Sequence, residues 1–129
     1  MATSKQAKAH AISRKTKEKV WQRQHGKSLF PPFYKITVDM CCCHYISRSQ
    51  GGLGDEWNIF GCYQSPWLDE HKIYDRALKS DTLNPNEMRE VVSKHLADNY
   101  VGWNEKKCKY DKYIQYKLGE NNEITERRY

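Results

Sequence analysis

The sequence predicts a small, mainly α protein: a few short helices joined by long anchored loops, an extended basic N-terminal arm and little independent core. Three observations carry that reading. Apolar residues are only 38% of the 129, against about 45–50% in ordinary globular chains. Aromatics nonetheless reach 12%, more than a disordered tail carries. The clearest local signal, Asn84-Pro85-Asn86-Glu87, is a helix start. The length bounds one domain, and no window approaches the roughly 18 apolar residues of a transmembrane helix.

Residues 4–25 favour helix, with Ser4 as a cap, a Lys/Gln/Ala/Arg interior and Gly26 as the stop. Ala7, Ala11, Ile12, Val20 and Trp21 make a thin apolar stripe, which suits a helix lying on a partner. Pro31-Pro32 then breaks the chain. From 33 to 46 comes its most apolar stretch. Tyr34, Ile36, Val38 and Met40 alternate as in a strand, while Phe33, Ile36, Met40 and Cys43 have helical spacing. Periodicity does not decide between them, and the assignment leans to helix.

Residues 47–66 read as a glycine-rich loop anchored by Leu53, Trp57, Ile59 and Phe60. A weak helix is expected over 67–79. Asn84 caps the next helix, which runs to about Ala97 with Met88, Val91, Val92, His95 and Leu96 inward. A last helix is expected over 105–118, with Cys108, Ile114 and Leu118 along one side and Gly119 as its stop.

Charge divides the chain in two. Residues 1–27 hold eight cations against Glu18 alone, a net +7, and the remainder holds 14 against 15 acids, a net −1. The expected organisation is therefore a basic helical arm over 1–27 and a small, mainly helical, loop-rich body over 28–129. Such an arm seeks phosphate, anionic lipid or an acidic protein surface. Being acid-poor and rich in Lys, Arg, Ser and Ala, it also reads as a mitochondrial import signal that stays uncleaved.

Candidate chemistry is thin. Cys41, Cys43, His44 and Cys62, with Cys108 or His71 in reserve, could suggest zinc, but the chain has no Cys-x2-Cys. Five cysteines, three of them consecutive, read as free thiols packed as small hydrophobes in a reducing compartment. Cys43-His44 are neighbours that point apart, whereas a catalytic pair is assembled across a fold. Gly51-Gly52-Leu53-Gly54 lacks the Lys-Ser/Thr ending of a phosphate loop. Asp69-Glu70-His71 reads as a solvated helix face. No catalytic residue, cofactor or metal is expected.

A basic helix, a proline break and scattered aromatic anchors occur in a particular order. Arg14-Lys15 precede Phe30-Pro31-Pro32-Phe33-Tyr34-Lys35, then come Val101-Gly102-Trp103 and Glu123-Ile124-Thr125 before Tyr129. This order resembles that of one family of small microtubule inner proteins of ciliary doublets. The resemblance implies a structural role in the axoneme, with tubulin and neighbouring proteins as partners. Lys5, Lys8, Arg14, Lys15, Lys17, Lys19, Arg23 and Lys27 are the expected docking charges. Trp21, Phe33, Tyr34, Trp57, Trp67 and Trp103 are the expected interface anchors. The alternatives are a peripheral accessory subunit of a mitochondrial complex and a ribosomal or other RNA-bound protein.

Overall fold

The computed structural model describes residues 5–31, 40–65, 68–78, 80 and 83–129. Two short helices come first, α1 (Lys5–His10) and α2 (Arg14–Gln24). The expected single helix over 4–25 is divided because the Ser13 side chain turns back to accept from the Thr16 N–H at 3.1 Å, capping a new helix. At its other end α2 stops through two left-handed residues, His25 (φ 55°) and Gly26 (φ 69°), as the glycine signal required.

The fold is an α+β mixture, which corrects the mainly α expectation. Strand β1 (Met40–His44) pairs antiparallel with β2 (Ile59–Tyr63) in the register Cys41↔Cys62, Cys42↔Gly61 and Cys43↔Phe60. So residues 40–44 of the apolar segment form a strand, against the leaning to helix, because β2 pairs with them; residues 33–39 lie outside the described residues. The second half of the expected 47–66 loop is also a strand. After it come α3 (Glu70–Arg76), inside the expected 67–79 helix, and α4 (Pro85–Asn99), which starts as read: the Asn84 side chain accepts from the Asn86 N–H at 2.9 Å. Of the five residues assigned inward on α4, Met88, Val92 and Leu96 are buried, His95 is half-buried and Val91 is exposed.

The expected helix over 105–118 is absent. A 3₁₀ turn occupies Glu105–Cys108, and the chain continues as β3 (Ile114–Leu118), paired with β4 (Ile124–Arg128) in a second antiparallel hairpin. Its turn places Asn121 and Asn122 both in the left-handed region (φ 57° each), a conformation that twists with the flanking strands and that asparagine tolerates.

A continuous core contradicts the expectation of little independent packing. Phe30, Tyr45, Trp57, Phe60, Met88, Val92, Leu96, Tyr100 and Cys108 are all in it. The rings meet edge to face: Phe30 on Phe60 at 6.0 Å, Phe60 on Tyr74 at 4.9 Å, Tyr45 on Trp103 at 5.6 Å. Asn58, wholly buried, donates to Leu53 O at 2.7 Å and accepts from Ile46 N at 2.8 Å, so it pins the connection between β1 and β2 from inside. Gly52 and Gly54 are needed there for close approach: a Cβ would lie 1.6 Å from Ile46 O and 2.0 Å from Ala11 O respectively.

The basic segment is built into this body. Val20 is fully buried, and α2 lies across β1 and β2. The backbone groups of β2 that point away from β1 are met by side chains. Gln24 accepts from Gly61 N at 2.7 Å and donates to Gly61 O at 3.0 Å. Arg23 donates to Ile59 O, and Glu70 accepts from Tyr63 N. The extended arm of the sequence reading is thus, from residue 5 to 27, largely a folded layer. No helix among the described residues is long and apolar enough to cross a membrane.

Candidate interaction site

The docking residues expected from sequence separate into three groups. Lys8, Lys15, Lys17 and Lys27 are exposed, as is Arg14, which pairs with Glu18 in solvent at 3.7 Å. Lys19 stays exposed but is paired, and Arg23 turns inward. Lys19 bridges to Glu56 at 3.1 Å, and the Arg23 guanidinium donates to His95 Nε2 (2.8 Å), Glu56 O (2.8 Å), Tyr100 Oη (2.8 Å) and Ile59 O. Lys5 lies in α1, and Phe33, Tyr34 and Trp67 lie outside the described residues.

Two of the expected aromatic anchors are interior. Trp57 is 2% exposed and its indole donates to Lys107 O at 2.8 Å; Trp103, half-buried, donates to Trp57 O at 2.8 Å. Both rings satisfy their polar edge inside the fold, so the buried Trp57 is not offered to a partner, while half-buried Trp103 keeps part of its ring at the surface. Trp21 differs. It is 49% exposed on the outward side of α2.

Trp21 is one wall of a groove of about 680 Å³ between α2 and β1. Helical spacing places Arg14, Lys17, Glu18 and Trp21 along it. The strand side adds Met40, Cys41, Cys42 and His44, and Arg48 closes one end. Three cations and one acid therefore line an aromatic- and sulfur-containing trough. Helix α2 can present this flank because the adjoining one, Val20, Arg23 and Gln24, is fixed to the body, with Val20 forming part of the groove floor. Met40 and Arg48 are not site candidates in the sequence and His44 is one only for zinc, since it is the fold that brings them beside α2.

Three thiols and two imidazoles of the fold are shifted towards their neutral forms. A hydrogen bond with Cys62, then burial, raises the Cys41 thiol far above its ordinary range, and burial raises Cys42 despite Lys17. Burial pushes Cys108 up to about 12. Burial lowers His44, and burial with the Arg23 charge lowers His95 to about 4. An activated thiol needs the opposite environment. Glu70, read from sequence as part of a solvated face, is instead wholly buried. It is held by the Ser28 hydroxyl at 2.7 Å and by Tyr63 N, and its carboxyl is raised by burial. Among the described residues, no group of three or more His, Cys, Asp or Glu side chains is arranged to hold a metal ion.

Comparison with protein-family models, with curated proteins and with solved structures finds no match for the chain.

Proposed function

We propose that this protein is a non-catalytic structural subunit that docks the outward face of α2 on an acidic protein surface, with the wall of a ciliary microtubule as its host. One observation carries the reading: Arg14, Lys17 and Trp21 share an exposed flank of a helix that its adjoining flank, Val20, Arg23 and Gln24, fixes to the body. Cations without buried partners give long-range attraction and orientation. A large aromatic ring at their centre gives the short-range anchor, and such anchors dominate interface energies. Cys41, Cys42 and Cys108 support the non-catalytic reading, because the hydrogen bond with Cys62 and burial hold the first protonated and burial the other two. The microtubule host follows from the order of short motifs that resembles the inner proteins.

The test is co-sedimentation of the full chain with microtubules assembled from purified tubulin, at low and moderate salt. Binding is expected, weakening with salt as exposed charges are screened over about 8 Å. Lys17→Glu should weaken it mainly at low salt. Trp21→Ala should weaken it at both, by about 2 kcal/mol or roughly thirtyfold. Absence of sedimentation at low salt would overturn the microtubule host. Selective retention on RNA, or co-purification with respiratory-complex subunits, would replace it with one of the other two hosts.

A further inference from the structure

Cys41 and Cys62 stand directly opposite each other on β1 and β2, with their sulfurs 3.3 Å apart. The hydrogen bond from Tyr45 N to Asn58 O fixes the phase of the ladder. Counting back by twos along the register makes Cys41↔Cys62 a hydrogen-bonded pair, whose Cα atoms lie about 5.5 Å apart. That span is within the range a disulfide bridges without backbone movement. The other three thiols are placed differently. Cys42 faces the opposite side of the strand, opposite Gly61; Cys43 also makes a hydrogen bond with Cys62 but is itself buried and stands opposite Phe60; Cys108 is buried beside Trp57 and Asn104.

We propose that Cys41 and Cys62 form a peroxide-sensitive dithiol that closes into a cross-strand disulfide. Cys41 is the entry point, because it is half-buried whereas Cys62 is shut off from solvent. Hydrogen peroxide is small enough for that opening. The Cys41 sulfur attacks one peroxide oxygen, the O–O bond breaks, and water leaves with the thiol proton, giving a sulfenic acid. The Cys62 sulfur then attacks the Cys41 sulfur. The S–O bond breaks and a second water leaves with the Cys62 proton. In all, two thiols lose two electrons and two protons, and one peroxide becomes two waters. Because the attacking Cys41 thiol is kept protonated, first by its hydrogen bond with Cys62 and then by burial, the first step is slower than at an ordinary exposed cysteine.

The reduced full chain is treated with hydrogen peroxide, then alkylated and analysed by intact mass and fragment mapping. The expected product has lost two hydrogens, retains three of its five thiols and links Cys41 to Cys62. Reduction with dithiothreitol should restore all five. Cys62→Ala should instead accumulate a Cys41 sulfenic acid that dimedone traps, and circular dichroism verifies that this variant is folded. Wild-type protein that keeps five thiols, or that links Cys62 to Cys43 or Cys42, overturns the assignment. So does a disulfide of unchanged yield in Cys41→Ala. The wild-type map decides even if both variants unfold.

Discussion

Replacing Gln24 with alanine tests how the basic segment is held to the body. The wild-type amide meets Gly61 twice, accepting at 2.7 Å and donating at 3.0 Å, and also donates to Lys27 O at 3.1 Å. Gln24 is 5% exposed and Gly61 is buried, so water does not replace the lost partner freely. Each buried group left unpaired costs about 1–3 kcal/mol. Gly61 loses both of its contacts, so the expected destabilisation is about 2–5 kcal/mol. Alanine is a better helix former than glutamine, which returns at most a few tenths. For a domain whose total stability is about 5–15 kcal/mol, this is a large fraction. Urea unfolding of the full chain, followed by tryptophan fluorescence, measures it. Hydrogen exchange at the Gly61 amide should accelerate in parallel. The exposed neighbour Gln22→Ala is the control and should stay within about 0.5 kcal/mol. A Gln24→Ala loss no larger than the control, with Gly61 exchange unchanged, would refute the reasoning.

Other outcomes follow from named contacts. Gly54→Ala puts a methyl group 2.0 Å from the Ala11 carbonyl oxygen and should break the Gly54 N to Ala9 O bond, lowering stability by about 2 kcal/mol or more in thermal melts. Arg23→Met should release α2 from α4 at a cost of about 3 kcal/mol, because four acceptors lose one donor group; a variant as stable as wild type would show that the network contributes nothing net. His95 and Asp55 titrate in opposite senses. His95, lowered to about 4 by burial and Arg23, favours the folded state fully above its unfolded value near 6.5 and loses that contribution as pH falls towards 4. Asp55, raised to about 6 by burial and Glu56, opposes folding above pH 6 and ceases to do so as pH falls towards 3.8. Each effect is about 3 kcal/mol at most, so they largely cancel in wild type. Asp55→Asn should therefore be more stable at pH 7 and show a steep loss between pH 6.5 and 4; chemical unfolding across that range checks both signs.

The parts legible in the sequence were those written in local chemistry. Asn84-Pro85 marks the start of α4 because capping involves only the next three residues. Gly26 stops α2 for the same reason. The second hairpin was also written locally, as Ile114, Tyr116 and Leu118 alternating before Asn121-Asn122, but the 105–118 window was read at helical period. Strand β1 offered both periods, and its partner β2 decides between them from nineteen residues downstream of Cys41's neighbour Met40, at Ile59. The site was legible in part. Trp21, Arg14 and Lys17 were named from charge and aromatic content alone. That Trp57 and Trp103 face inward depends on acceptors far along the chain, Lys107 O and Trp57 O, which no local pattern reports. Arg23 counted as a docking charge for the same reason, since its partners lie on two segments far along the chain, 56–59 and 95–100.

The side chains along the outer edge of β2 have a consequence for how the protein can meet a partner. An uncovered strand edge is a template on which another chain can add a strand, and it is a common start of aggregation. Here Arg23, Gln24 and Glu70 occupy the places such a strand would take. Two of those three belong to the basic helix. If the N-terminal segment peeled away to wrap a host, it would uncover Ile59 and Gly61 together and invite copies to join edge to edge. The helix is therefore a lid that must remain shut, and recognition is confined to its outer face. A truncation at residue 27, the obvious way to remove the positive charge, would yield a sticky protein whose failure to bind says nothing about charge. Only surface reversals such as Lys17→Glu separate the two.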